Sequence, residues 1–235
     1  MLSFGTTYRN LKTLVNFENL IEIKNQSKNQ ILIFKFTNID EVEQFQKIFI
    51  SSLNDEINDY GIILTDLNQK NKVYYLKIWE ILSVDNENVT TSSFILMPNN
   101  KIFKIWKEYF ENGISEYNQW KKIKQSEKQA WLELALSFQS IDYEKLKSII
   151  EIDGIYINSL NDFFCSIGEA LNGKGGYFGK DLYGFYDCLS NPEFGTQNLK
   201  TVIWNNHNKS KWKLKNKFSI ILETFKEFNI DVQLR

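Results

Sequence analysis

Through residues 148–235, short apolar runs rich in β-branched residues alternate with segments of helical period. This alternation restricts the fold more than any other feature of the chain. Residues 148–152, 199–205 and 230–234 read as strands. Between the first two, Asn161 is placed to cap a helix running to Leu171, with Phe163, Phe164, Ile167, Ala170 and Leu171 on one face. A second helix is expected over 182–189 and a third over 218–228. Strands joined through helices need crossover connections and therefore pair in parallel. The expected class is α/β, with a C-terminal three-stranded parallel sheet flanked by helices.

The preceding residues predict a mixed α+β domain. Residues 31–36 (ILIFKF) suit a strand. Residues 40–57 place Val42, Phe45, Ile48, Phe49 and Leu53 at helical spacing behind an acidic first turn. Residues 60–65, 73–82 and 93–97 read as further strands, with polar turns at 68–71 and 85–88. From residue 98 the pattern turns helical. Ile102, Phe103, Trp106, Tyr109 and Phe110 share a face and Gly113 closes that helix. Ser115 is placed to cap another, with Trp120, Ile123, Trp131, Leu134, Ala135 and Phe138 inward. The polar interval 137–143 is the expected boundary, giving domains over 1–146 and 147–235. A length of 235 residues suits two such domains.

Composition narrows the function classes. A net charge of −1 gives no whole-molecule field for nucleic acid or membrane. The first ten residues lack a signal-peptide pattern, and no apolar run approaches the length of a membrane span. Two cysteines, Cys165 and Cys188, make no disulfide framework and fall on core faces of adjacent helices. These features predict a soluble, cytoplasmic protein with reduced thiols, in which the sequons at Asn25, Asn88 and Asn208 stay unglycosylated. His207 is the single histidine and is read as a loop residue; no metal set or nucleophile signature accompanies it. No enzyme, metal or cofactor is expected. Lysines at 209, 211, 213, 215 and 217, with Trp212 interleaved, admit a nucleic-acid reading but are read as a solvated segment, so no direct nucleic-acid partner is expected.

The stretch from Gly175 to Leu189, GGYFGKDLYGFYDCL, concentrates the functional signal. A dinucleotide loop would follow a strand and open a helix. Here the glycines follow a helix, and Asp181 at the start of the next would repel phosphate. The sharper expectation is a protein-binding surface: glycines that let the backbone approach a partner, with Tyr177 standing out as an anchor. On the next helix Leu182, Phe185, Cys188 and Leu189 share the core face. Tyr183, Tyr186 and Asp187 fall on the other side, and aromatic anchors around one acidic residue suit a partner-binding face.

Residues 147–235 resemble the barstar family of ribonuclease inhibitors, on the aromatic-Asp-Cys-Leu run at 186–189 and the Tyr-bearing loop before it. The resemblance implies a domain that plugs a toxin's active site and catalyses nothing. Asp187 then matches the aspartate that mimics substrate phosphate, Tyr177 the loop tyrosine, Asp181 an asparagine at the helix start and Tyr186 a tryptophan. Glu227 matches an acidic residue of the last helix. Tyr177, Phe178, Asp181, Tyr183, Tyr186, Asp187 and Glu227 form the implied contact set, and the implied partner is a cognate toxin of the nuclease class. Two departures stand out: Tyr183 replaces a second interface aspartate, and residues 148–235 balance ten Lys or Arg against ten Asp or Glu. The alternative expectation is a non-inhibitory interaction or regulatory module on the same fold. No family is recognised for residues 1–146.

Overall fold

The computed structural model describes residues 2–6, 12–17, 19–26, 31–53, 60–66, 68–95, 101–139 and 141–235. The chain divides into two compact units, 1–112 and 113–235.

The first unit is built on a seven-stranded antiparallel sheet of order β2-β1-β5-β6-β7-β4-β3. Its strands are β1 (Leu2–Thr6), β2 (Lys12–Phe17), β3 (Asn19–Gln26), β4 (Ile31–Thr37), β5 (Tyr60–Thr65), β6 (Asn71–Asp85) and β7 (Asn88–Ile95). Helix α1 (Val42–Leu53) follows β4. Phe45 on α1 is buried against Phe36 at 5.1 Å between ring centroids, and Phe36 meets Phe17 edge-on at 5.2 Å. Val42 is half-buried; the side chains of Ile48, Phe49 and Leu53 lie outside what is described. Residues 54–57 of the expected helix and 96–97 of the expected last strand also lie outside the described residues. A two-residue turn links β6 to β7, with Asp85 paired to Asn88. The sequence assigns no element before residue 31, yet three strands are present there. Their strand formers are broken up by Ser, Gly, Asn, Lys and Gln, and pairing within the sheet completes them. The unit ends in α2 (Ile102–Ile105), which widens into a π-helical turn, Trp106–Phe110.

The second unit carries the expected sheet. β8 (Ile149–Asp153), β9 (Thr201–Asn205) and β10 (Asp231–Leu234) pair in parallel in the order β10-β9-β8. Helices α4 (Leu160–Asn172) and α5 (Leu182–Ser190) lie between β8 and β9, and α6 (His207–Leu214) and α7 (Asn216–Glu227) between β9 and β10. An aromatic cluster holds these layers together. Phe163 stacks on Trp204 at 5.3 Å, and Phe185 meets Phe163 and Phe225 edge-on at 5.4 and 5.2 Å. Offset and edge-to-face rings at these separations add to the burial energy of large side chains.

Several local expectations need correction. The cap of α4 is Ser159, whose side chain accepts from the Asp162 N–H at 3.2 Å and donates to Asp162 Oδ2 at 3.0 Å, so Asn161 lies inside the first turn. Ser115 caps no helix. Asn118 takes φ +65°, a 3-10 turn covers Gln119–Lys122, and α3 (Lys128–Phe138) begins only later. The residues expected inward there, from Trp120 to Phe138, are buried. His207 opens a helix instead of sitting in a loop, and most of the lysine run is helical. The second compact unit spans 113–235, and within it the segment 113–139 packs on α4 and the loop that follows it.

Candidate partner-binding face

The glycine-rich segment is folded inward. Gly173, Gly175 and Gly179 take φ of +83°, +65° and +92°, conformations that side chains rarely adopt. A Cβ on Gly168 of α4 would lie 2.2 Å from the Gly176 carbonyl oxygen, so loop and helix backbones touch directly. The glycines therefore serve close packing within the fold, not approach to a partner.

Tyr177 and Phe178 follow the loop inward. Tyr177 is 4% exposed, which overturns its expected exposure, and Phe178, the other loop residue of the implied contact set, is fully buried. The Tyr177 N–H donates to Gln139 Oε1 at 3.2 Å, and its carbonyl accepts from Asn172 Nδ2 at 2.8 Å. Its ring lies 6.1 Å from Phe194, and Phe178 meets Phe185 edge-on at 5.8 Å. Burial pushes the Tyr177 phenol well up, and nearby Cys188, Asp181, Glu133 and Asp187 add to the effect.

The segment before residue 147 fastens this loop. Glu169 is 4% exposed. Its Oε1 accepts from Gly175 N–H at 3.1 Å and its Oε2 from Asn118 N–H at 2.7 Å and Trp120 Nε1 at 3.1 Å. Burial raises its carboxyl pKa, and these donors offset only part of the effect. Lys128 pairs with the fully buried Asp162, Lys180 with Glu133 at 2.8 Å, and Lys174 donates to the Ser115 carbonyl at 2.7 Å. None of Lys128, Glu133 or Glu169 was singled out from the sequence. Charged residues on otherwise apolar helix faces were the available signal. A cleft of about 570 Å³ beside edge strand β8 includes Glu169 and Lys121, but Lys121 lies 3.3 Å from the Tyr156 ring centroid and both groups are engaged within the fold.

Helix α5 presents the opposite situation. Asp181 caps it, accepting from the Gly184 N–H at 2.7 Å. Phe185, Cys188 and Leu189 are buried as expected, while Leu182 is only half-buried. Burial and then Asp187 push the Cys188 thiol up to about 12. Tyr183 is 86% exposed, one helical turn from the exposed Asp187. Tyr186 leans on Phe228 at 5.0 Å and its hydroxyl donates to Glu227 Oε1 at 2.8 Å, which raises the phenol pKa. The fold thus brings Tyr186 and Glu227 together from α5 and α7. The Asp187 carboxylate has no hydrogen-bond or ion-pair partner among the described residues. It stands near the C-terminus of its helix, where the dipole disfavours an anion and nothing local repays it.

No described helix is long and apolar enough to cross a membrane, and no metal-holding group of His, Cys, Asp or Glu occurs among the described residues. Residues 147–235 match the model of the Barstar family, described as barnase inhibitor. No curated protein matches the chain. The compact unit extends the matched region at its N-terminal side by the segment that grips the loop.

Proposed function

We propose that this chain is a cytoplasmic immunity protein, not an enzyme, that binds and blocks a nuclease toxin through the exposed face of α5 and the end of α7. The observation that carries this reading is the free Asp187 carboxylate, flanked by two exposed tyrosines on the helix that matches a nuclease-inhibitor family. A nuclease active site collects cations to hold phosphate. An unpaired carboxylate with aromatic neighbours meets such a site with opposite charge and desolvated anchors. Tyr183, Tyr186, Asp187 and Glu227 form the proposed contact set, with Asp181 at its edge. Tyr177 and Phe178 act from beneath by fixing the loop.

The test titrates the intact chain into RNA-cleavage assays with barnase and with the toxin encoded beside its gene. Stoichiometric loss of cleavage is expected with at least one of them. Asp187→Ala should weaken that complex by at least about 2 kcal/mol while leaving the unfolding transition in place. Because the matched region is charge-balanced, most of the loss is expected in the dissociation rate and little in salt-dependent association. Inhibition that survives Asp187→Ala undiminished would place the interface elsewhere. Absence of inhibition with either nuclease would favour the non-inhibitory interaction module.

A further inference from the structure

Helix α6 carries a second surface that the inhibitory face does not use. No Asp or Glu occurs between Glu193 and Glu223, while Lys209, Lys211, Lys213, Lys215 and Lys217 crowd the middle of that interval. All five are exposed. None has an ion-pair or hydrogen-bond partner for its ammonium among the described residues. Within them Trp212 is 72% exposed, whereas Trp106, Trp120, Trp131 and Trp204 are buried.

The helix geometry explains the arrangement. Ser210 and Leu214 are the buried residues of α6. At about 100° per residue, Trp212 projects directly away from the midpoint of that pair. Lys209 and Lys213 lie to one side of it and Lys211 to the other. The α6 backbone is held close to the residue after β8, where a Cβ on Gly154 would lie 2.5 Å from the Asn206 carbonyl oxygen. Lys215 takes φ +55° at the joint with α7, and Lys217 follows in the first turn of α7, so the run of exposed lysines continues past the end of α6. The Lys213 ammonium sits 4.5 Å from the centre of the Trp212 ring, which leaves the ring's other face for a planar partner.

We propose that this surface binds single-stranded nucleic acid, with a base stacked on Trp212 and backbone phosphates held by the surrounding lysines. A stacking platform inside an unpaired cationic field is what sequence-tolerant single-strand recognition requires. An acidic protein surface fits less well. Planar carboxylate recognition favours the arginine fork, whereas lysine serves phosphate as a point charge, and the cluster contains lysine only. An interfacial membrane helix needs an apolar face, and α6 turns its other apolar residue, Leu214, inward. The observation that favours a ligand over a merely solvated run is the exposed indole among charges that the fold leaves uncompensated.

The experiment measures anisotropy of a labelled single-stranded RNA of about 12 nucleotides against the intact chain, at about 50 and about 200 mM salt. Binding is expected to weaken about 5- to 150-fold in Trp212→Ala. In the triple variant Lys209→Ala, Lys211→Ala, Lys213→Ala, the slope of log affinity against log salt is expected to flatten by about 2. Circular dichroism of both variants should match the parent, because all four side chains are exposed. Polyaspartate and anionic vesicles serve as competitors. Absence of RNA binding, indifference to Trp212→Ala, or equal competition by polyaspartate or vesicles would each overturn the proposal.

Discussion

Two neighbouring stretches of one motif meet opposite fates here. The loop over 173–180 and the first turns of α5 are continuous in sequence, and both carry aromatics and glycine. Yet Tyr177 and Phe178 are buried, while Tyr183 and Asp187 stand in solvent. The loop is tied down by Glu169, Gln139 and Asn172, and the ion pair at Lys180 reinforces it. The helix face beside it keeps its carboxylate uncommitted. The loop's side chains are used in folding, and the proposed binding groups are carried on the helix. Rigid support beneath an exposed face lowers the ordering cost of association.

The comparison breaks first at its buried side. Phe185→Ala and Tyr177→Ala should each destabilise the second unit by about 3–5 kcal/mol, the range for large aromatic deletions in a core. Denaturant unfolding of both variants measures this. A Tyr177→Ala chain as stable as the parent would show that the loop contributes nothing to folding.

Lys128→Met probes the upstream segment. It leaves Asp162 buried without its cation, a change that costs about 3–5 kcal/mol when a buried pair loses one partner. A loss below about 1 kcal/mol in the same unfolding experiment would mean that 113–139 is fastened by its other contacts.

A smaller effect is expected from pH. The Glu169 pKa is raised above its ordinary value of 4.5, so the folded state holds that proton more tightly than the unfolded chain. Stability from this group is therefore fullest below 4.5 and is lost as pH rises through the raised value. The stability gap between the parent and Glu169→Gln should be widest in mild acid and narrow toward neutral pH. Urea titrations across that window test the sign, and a gap that widens with pH would reverse the assignment.

The exposed side should respond least. Tyr183→Ala and Tyr186→Ala are each expected to cost less than about 1 kcal/mol of stability, as surface substitutions do. A larger loss for Tyr186 would assign its bond to Glu227 a structural role, and thermal melts of the two variants side by side would reveal it.

The three parallel strands, the faces of α4 and α5 and the presence of α7 were legible in the sequence because they rest on hydrophobic period, which tertiary packing obeys. Strands β1, β2 and β3 were not. Their apolar residues form no clear run, and sheet neighbours distant in sequence settle them, as β5 does for β1. Helix α6 escaped because alternating lysines mask a period carried by only Ser210 and Leu214. At the candidate site, the side of α5 bearing Tyr183, Tyr186 and Asp187 was legible from spacing alone. The juxtaposition of Tyr186 with Glu227 needed the fold, since they lie on different helices.

By itself the sequence determined the α/β order of the C-terminal unit, the buried side of α5 and the exposure of Asp187, since each follows from the local period of apolar residues. Only the tertiary structure decided that Tyr177 turns inward. That outcome depends on a close approach of Gly168 to Gly176 and on Gln139, Asn172 and Glu169, which the chain brings to the loop from the end of α3 and from α4. Local pattern specifies which face of an element is apolar. What covers a polar or aromatic residue in a loop is set by contacts that no local pattern encodes.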